Sequence, residues 1–517
     1  MALSPTQLDR LPDNMIQLMS ELQDEIISDI CRRITKADML TPTAEWQLYK
    51  ANQLTISSRE VKRRIAAKLK VQEKVLKDLY TDAVKTAIAE DAKVYKIAIA
   101  EGILSDDYRD KLTNYTRSAA FSNALKRGLK NTNGLLRNLT NSAAAAANWQ
   151  LSDALDLAYL EVANGAFTPQ EACFKAVQKL GADGIKCVSY ASGRTDQIDV
   201  AVRRAVVTSI GKTCGDMQLD LAHEMDCQLV EVSSHLGARP SHAEWQGRIY
   251  SLVKGHPKYP YFYDATGYGR GDGLCGWNCR HSFFPYFEGL SKPANAPNFS
   301  LAENEKVYKD TQRQRSYECA IRKSKRELAA LDGARSASDP ALRAKLDNEF
   351  ARKSATLKRR EAALAEHLKA TGLLPDNSRV RVDGFGRSVS QKAVWANKKY
   401  LLDKSEKRSI LENKIASGEI TLKINPEKQA PHMKGKEYTE GRSYLTISLQ
   451  EIQEIVNELH GTGDIMIKKN GQIKEVIVCK TNIGFCVDKD TLEATETNSF
   501  TIHYSESRTH IVPAKRR

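Results

Sequence analysis

The chain has 517 residues, 41% of them apolar and 27% charged, which excludes a wholly disordered protein and suggests about three or four folded units. It has no apolar run of about 18 residues, and its start lacks the pattern of a signal peptide, so we expect no membrane segment and synthesis in the cytosol. We therefore expect its ten cysteines to be reduced thiols. The net charge of +14 favours an acidic partner, such as DNA, RNA or an acidic protein surface.

Long amphipathic helices are predicted for residues 12 to about 130. Apolar side chains recur there at spacings of three and four, as in Leu22, Ile26 and Ile30. Most of these positions are expected to pack within a helical bundle, although a large assembly would use similar stripes to bind other proteins. Between residues 151 and 221, helical patterns alternate with short strand-like pieces, which predicts a compact α+β region.

Glycine, aromatic and histidine residues are concentrated between residues 233 and 289, which predicts tight turns packed beneath large rings. Cys275, Cys279 and His281 form a C-x3-C-x-H run that is a candidate zinc site. A fourth ligand would come from His235, His242 or His256. The alternative is that these side chains make buried hydrogen bonds in an apolar core and bind no cofactor. A zinc-dependent catalytic site is a third interpretation.

Two segments of this region, H-x-GAR-x-x-H-x-x-WQG at 235–247 and GL-x-G-x-NCRH at 273–281, resemble the signature of the phage minor capsid protein 2 family. The likeness extends more loosely from the N-terminal helices to about Leu290. It implies a virion protein present in few copies near the portal vertex, with portal proteins, capsid proteins and phage DNA as partners and no established enzyme activity. The signature positions are His235, Gly237, Arg239, His242, Trp245, Gln246, Gly247, Asn278, Cys279, Arg280 and His281.

The composition changes again between residues 296 and 372, where opposite charges recur at helical spacing. Two exposed helices, broken near Ser336 to Pro340, are predicted. Residues 304–369 hold 17 Lys and Arg against 10 Asp and Glu, so about half of the net charge lies here. We interpret the segment as a charged stalk that acts as a spacer, with contact to packaged DNA or an acidic portal surface as the alternative. Residues 373–420 are predicted to be a linker.

Three histidines, His432, His503 and His510, lie in two short segments near the C-terminus, together with cationic and hydroxyl side chains. Cleavage of RNA without a metal requires a base for the 2′-hydroxyl proton, an acid for the leaving 5′-oxygen and cations for the crowded phosphorane. Histidine serves both proton-transfer roles because its ordinary pKa is about 6.5. In a strand, His503 and Ser505 would project to the same face. The alternative is that each histidine is an ordinary surface or core residue.

The sequence from Ile424 to Ala514 resembles the bacterial polymorphic toxin type 50 domain through IN-x-x-KQ-x-x-H-x-x-G and IHYS-x-x-x-THIVPA. The resemblance implies the fold shared by barnase, EndoU, colicin and RelE nucleases (the BECR fold) and a metal-independent endoribonuclease. The residues that it implies to be catalytic are Lys428, His432, His503, Ser505, Thr509 and His510, and those predicted to bind substrate are Arg442 and Arg508. The chain departs from relatives at Glu506 to Arg508, where Lys followed by Gly is common, and an acid there would weaken phosphate binding.

These patterns predict a multidomain chain with a mainly α N-terminal part, a turn-rich α+β middle region, a charged helical stalk and a small α+β nuclease-like C-terminal domain. The predicted units are 1–225 (helical capsid region), 226–295 (capsid signature region), 296–372 (stalk), 373–420 (linker) and 421–517 (RNase-like domain). The predicted function is a structural component of the phage head whose last domain cleaves RNA, either after delivery into the host cytoplasm or against competing phage. The alternative is a purely structural, portal- and DNA-binding protein with an inactive last domain.

Overall fold

A computed structural model describes residues 12–36, 44–163, 169–184, 186–189, 195–335, 340–382, 384–434, 438–468, 470–488 and 492–515. The chain forms two compact units, residues 1–394 and 395–517. Both combine helices with small antiparallel sheets, and helix predominates along the chain, as predicted. None of the described helices is long and apolar enough to cross a lipid bilayer.

Long helices dominate the first unit. They are α1 (Asp13–Lys36), α2 (Ala44–Ala100), α4 (Ala119–Ala163), α5 (Pro169–Asp183), α6 (Ile198–Glu224), α9 (Leu301–Arg335) and α10 (Pro340–Thr371), and the short helix α3 (Tyr108–Tyr115) lies between α2 and α4 in the sequence. The predicted apolar stripe of α1 is buried, because Leu22, Ile26 and Ile30 are at most 1% exposed. A two-stranded pair, β1 (Lys186–Ser189) and β2 (Thr195–Gln197), precedes α6.

The charged segment forms two helices, but it is not an exposed stalk. Helix α9 packs against α1, α5 and α10, and Ile321, Leu328 and Leu331 are buried along it. The prediction of a solvated spacer was wrong because frequent charges conceal a narrow apolar stripe in the sequence. Of the predicted break, residues 336–339 lie outside the described residues, and α10 begins at Pro340.

A three-stranded antiparallel sheet lies in the middle of the first unit, in the order β4–β3–β5. Its strands are β3 (Leu229–Val232), β4 (Ile249–Ser251) and β5 (Phe283–Tyr286), and two short helices, α7 (Pro240–Ala243) and α8 (Phe262–Thr266), lie in the connections. The Gln218 amide of α6 donates hydrogen bonds of 2.9 Å to the Asp91 carboxylate of α2 and to the Phe283 carbonyl oxygen. These buried bonds fasten β5 to the helical bundle.

The second unit is a small α+β fold. Its elements are α11 (Arg387–Ala416), which crosses the boundary between the units, α12 (Pro426–Gln429), a 3-10 turn (Ala430–His432), β6 (Tyr444–Leu445), α13 (Leu449–Leu459), β7 (Asp464–Ile467), β8 (Ile473–Val478), β9 (Gly484–Val487), β10 (Ala494–Thr497), β11 (Ser499–His503) and β12 (His510–Ala514). The strands form two antiparallel sheets, β12–β11–β8–β7 and β10–β9–β6.

The core of the second unit begins before residue 421. Leu411 of α11 is fully buried and packs with Ile452 of α13 and with Phe500 and Ile511 of the larger sheet. The segment 373–420, predicted as a linker, therefore contains a helix of 30 residues. Its glycines and proline suggested a linker, but apart from Gly418 they all precede α11, whose own residues include neither type.

Candidate functional site

The three C-terminal histidines lie together at one end of the larger sheet of the second unit. His503 is the last residue of β11 and pairs directly with His510, the first residue of β12. Their ring centroids are 4.8 Å apart. The ring of His432 lies nearly parallel to that of His510, at 6.2 Å and an angle of 9°. Two segments separated by about seventy residues of sequence thus form one cluster, which we call the histidine triad.

The segment that carries His432 is fastened to β12 by its own polar residues. The Asn425 side chain accepts a hydrogen bond of 2.9 Å from the backbone N–H of Lys428 and so caps α12. The fully buried Gln429 amide donates to the Ile511 carbonyl at 3.0 Å and accepts from the Ile511 N–H at 2.8 Å. This two-sided clamp fixes His432 beside His510. Asn425 and Gln429 were not predicted as site residues, although both belong to the IN-x-x-KQ motif.

The hydrogen bonds of two triad members fix which ring nitrogen carries a proton. Nδ1 of His432 lies 2.9 Å from the Ser443 carbonyl oxygen, and Nδ1 of His510 lies 2.9 Å from that of Arg508. A carbonyl oxygen only accepts hydrogen bonds, so each Nδ1 must be the donor. In the neutral rings, the lone pair is therefore on Nε2, which is the atom available for proton transfer.

Positive charge surrounds the triad. Lys474 of β8 pairs in register with His503, on the side opposite His510. Burial, with Lys474 as the next cause, lowers the pKa of His503 to about 4. Burial also lowers the pKa of His432, and His510 and Arg442 lower it further. Both rings are consequently neutral near pH 7, while Lys474 places a cationic side chain on the strand beside His503. Lys474 was missed because strand register is not visible in the sequence.

The other predicted site residues differ in their surroundings. Thr509 is fully buried, and its hydroxyl lies 2.7 Å from the Thr421 carbonyl oxygen and 2.9 Å from that of Ser505. The contact with Ser505 lies within the turn between β11 and β12, and the contact with Thr421 ties this turn to the segment that precedes α12. Ser505 is half-buried at the same turn, whereas Lys428, Arg442 and Arg508 have exposed side chains.

The first unit contains a second cluster, which we call the His-Cys cluster, formed by His242, Cys279 and His281. All three side chains are buried, and their ligand atoms lie within 4.8 Å of one another. Nδ1 of His242 is 3.3 Å from Nδ1 of His281, and the Cys279 sulfur is 3.8 Å and 3.7 Å from these two atoms. Cys275, which we predicted as a ligand, is not a member of this group. His242, one of the three candidates for the fourth ligand, is a member because α7 brings a residue of the first signature segment against the second.

Each imidazole of the His-Cys cluster is oriented through its outer nitrogen. Nε2 of His242 lies 2.9 Å from the Asp272 carbonyl oxygen, and Nε2 of His281 lies 3.1 Å from Oε1 of Gln246. The same Gln246 oxygen accepts the His235 backbone N–H at 3.0 Å, which identifies it as the amide oxygen. Burial lowers the pKa of His242 to about 4 and holds that of His281 well below its usual range. Burial raises the pKa of the Cys279 thiol.

The remaining signature residues build the walls around this cluster. The Trp245 ring lies 4.5 Å from that of His242 and 4.9 Å from that of His281, and the His235 ring stacks on His281 at 4.4 Å. Gly247 has φ +68°, and a Cβ there would lie 2.3 Å from the Asn295 carbonyl oxygen. Three more signature residues donate hydrogen bonds: Gly237 N–H to Asn304 Oδ1 (2.9 Å), Arg239 to the Trp277 carbonyl oxygen (2.5 Å) and Asn278 N–H to Thr208 Oγ1 (3.2 Å). The charge of Arg280 helps to lower the pKa of His281.

The two units match two known families. Residues 3–369 match the family model of phage minor capsid protein 2, so the chain belongs to that family. Residues 424–513 match the model of bacterial toxin 50. Both resemblances are confirmed, and the capsid match extends beyond Leu290 through α9 and most of α10.

Two curated phage proteins are similar to parts of this chain. One is a "Structural protein" of Lactococcus phage LL-H, 29% identical over 199 residues, which are 37% of this chain and 53% of that protein. The other is a "Structural protein" of Lactococcus phage mv4, 40% identical over 78 residues, which are 14% of this chain and 60% of that protein. The chain thus spans somewhat more than half the length of these relatives. No solved structure matches the chain.

Proposed function

We propose that this protein is a structural component of the phage head, associated with the portal and other capsid proteins, and that its second unit is a metal-independent endoribonuclease. Membership of the minor capsid family and the two relatives described as structural proteins support the first part. The test is mass spectrometry of purified mature particles together with co-purification of the portal. Absence of the chain from particles would overturn this part.

The geometry of the histidine triad supports the nuclease. Two imidazoles whose Nδ1 atoms donate to backbone carbonyl oxygens lie with their ring centroids 6.2 Å apart, and a lysine lies beside the third ring. A base, an acid and a cation within one cluster are the groups that transesterification of RNA requires. The match to bacterial toxin 50 over the same residues adds independent support.

Each member of the cluster has one task in this mechanism. Nε2 of His432, neutral because burial lowers its pKa, takes the proton of the 2′-hydroxyl. The 2′-oxygen attacks phosphorus, and the bond to the 5′-oxygen breaks while His510, in its imidazolium form, donates its Nε2 proton to that oxygen. The products are a 2′,3′-cyclic phosphate and a 5′-hydroxyl. His503 and Lys474 contact the phosphoryl oxygens, where negative charge develops.

The experiment uses residues 395–517, because the buried core of this unit includes Leu411 and so a fragment beginning at residue 421 would lack part of it. Induced expression in bacteria should arrest growth, and the purified fragment should cleave RNA. We expect His432→Ala or His510→Ala to reduce cleavage by about 10²–10⁴-fold, as removal of a general acid or base does. His460→Ala is the matched control, because this ring bonds to carbonyl oxygens at the end of α13.

The outcome separates the nuclease from the structural alternative. Growth arrest and cleavage that disappear in the His432 variant and persist in the His460 variant support the nuclease. A folded fragment that is tolerated by the cells and leaves RNA intact would overturn it, and the second unit would then be a binding module of the particle.

A further inference from the structure

The spacing of the His-Cys cluster is that of ligands around one metal ion. Zinc binds imidazole nitrogen at about 2.0–2.1 Å and thiolate sulfur at about 2.3 Å, so tetrahedral angles place two nitrogens about 3.3 Å apart and a nitrogen and a sulfur about 3.6 Å apart. The cluster has 3.3 Å between the two Nδ1 atoms and 3.8 Å and 3.7 Å from the sulfur to each of them. All three distances agree with a common centre to within a few tenths of an ångström.

Hydrogen bonding alone does not account for the arrangement of the two Nδ1 atoms and the Cys279 sulfur. Asp272 and Gln246 present carbonyl oxygens to the Nε2 atoms, so both Nε2 atoms are donors and, in the neutral rings, both Nδ1 atoms carry lone pairs. Two lone pairs that face each other at 3.3 Å in a buried site repel. The Cys279 thiol has one proton and can satisfy only one of them. A cation between the three atoms satisfies all of them at once.

We propose that His242 Nδ1, Cys279 Sγ and His281 Nδ1 bind a zinc ion in the first unit. One thiolate and two imidazoles form a borderline-soft set that suits zinc. The carbonyl oxygens of Asp272 and Gln246 are the outer partners that orient metal-bound histidines and fix their tautomers. The Cys279 sulfur also accepts the His281 backbone N–H at 3.4 Å, which stabilises a thiolate.

The ion would join two loop segments that contain little regular structure. His242 lies in the short helix α7, and Cys279 lies 37 residues further along the chain, just before β5. The described residues supply three ligands, and no fourth His, Cys, Asp or Glu belongs to the group. The fourth position is therefore assigned to a water molecule. The Trp245 ring, 8% exposed and in contact with both imidazoles, shields the site.

Metal analysis of the full chain tests this site. We expect about one zinc ion per chain after dialysis, and loss of most of it in Cys279→Ser and His242→Ala. Cys275→Ala is the matched control, because this thiol is buried in the same loop but lies outside the group, and it should retain the ion. Cobalt replacement provides a second measurement that needs no variant, because a tetrahedral site with one thiolate gives intense visible bands and a sulfur-to-cobalt charge-transfer band in the near ultraviolet.

The outcomes do not depend on RNA cleavage. Zinc in the wild type and in Cys275→Ala, together with the cobalt–thiolate spectrum, supports the site. A wild-type chain that stays metal-free after incubation with zinc and gives no cobalt–thiolate band would overturn it, and so would a Cys279→Ser chain that keeps its zinc.

Discussion

The histidine triad and the His-Cys cluster use the same side chain in opposite orientations. In the triad, Nδ1 of His432 and of His510 donates to a backbone carbonyl oxygen, which leaves the lone pair of each neutral ring on Nε2. In the His-Cys cluster, Nε2 of His242 and of His281 donates outward, and the two Nδ1 atoms face each other beside a sulfur. The triad rings are half-buried, whereas both histidines of the cluster are at most 3% exposed.

This difference shows what decides the chemistry of a histidine group. An outward-anchored ring in a partly exposed site next to lysine can exchange a proton with a substrate. Two inward-facing lone pairs in a buried site with a thiol are arranged for a cation. The comparison predicts that a variant can lose RNA cleavage without losing zinc binding, and the reverse.

The largest expected effect is the independent loss of RNA cleavage and of zinc binding. His432→Ala should reduce RNA cleavage by about 10²–10⁴-fold and leave the zinc content unchanged, because the ring that takes the 2′-hydroxyl proton is lost. Cys279→Ser should do the reverse in the same full chain. The measurements are RNA cleavage and metal content on each variant. A single variant that removes both properties would contradict independent sites.

The second prediction concerns Gln246, the outer partner of His281. Gln246→Ala should weaken zinc binding by about 10–100-fold, because the ring loses the acceptor that fixes its tautomer. Titration against a competing chelator measures this change. Gln246→Glu retains an oxygen acceptor and should bind more tightly than the alanine variant. Equal zinc affinity of the two variants would show that Gln246 does not orient a zinc ligand.

The third prediction concerns Lys474, which the strand register places beside His503. Lys474→Gln should lower kcat/KM for RNA by roughly 10-fold or more, since one cation near the developing charge is lost. It should also raise the pKa of His503, because Lys474 contributes to lowering it. Cleavage kinetics measure the first effect, and NMR titration of the His503 ring measures the second. Lys480→Gln, an exposed lysine of the same unit, is the control and should change neither.

The smallest expected effect is on stability. His503 has a pKa of about 4 in the folded unit, and the pKa of His432 is also lowered, whereas both are near 6.5 when unfolded. The unfolded state thus binds protons first, so stability is complete above about pH 6.5 and is lost as the pH falls toward 4. The Tm of residues 395–517 should drop by a few degrees between pH 7 and pH 5. His503→Gln should flatten this dependence, and an unchanged slope would contradict it.

Features that depend on local sequence patterns were predicted better than features that depend on contacts between distant segments. The helix stripe at Leu22, Ile26 and Ile30 follows from local spacing, and all three side chains are buried in the structure. The motif around His432 and the one around His503 and His510 were each visible. Their meeting at 4.8 Å and 6.2 Å depends on antiparallel register and on the Gln429 clamp, which no local pattern specifies.

The errors have the same physical origin. Cys275 was a candidate ligand because it is close to Cys279 in sequence, but the fold groups Cys279 and His281 with His242, which was one of three candidates for the fourth ligand. Helix α9 was predicted to be exposed because charged residues are frequent in it, yet Ile321, Leu328 and Leu331 are among the apolar side chains that bury one side of it as it packs against its neighbours. In both cases tertiary contact, rather than composition, decides the role of the residue.

Analysis of RNA product ends in the presence of EDTA tests the central claim most directly. Residues 395–517 should produce 2′,3′-cyclic phosphate and 5′-hydroxyl ends at an undiminished rate with the chelator present, and His432→Ala should produce almost none. Cleavage that stops with EDTA, or ends carrying a 5′-phosphate, would contradict proton transfer by the histidine triad.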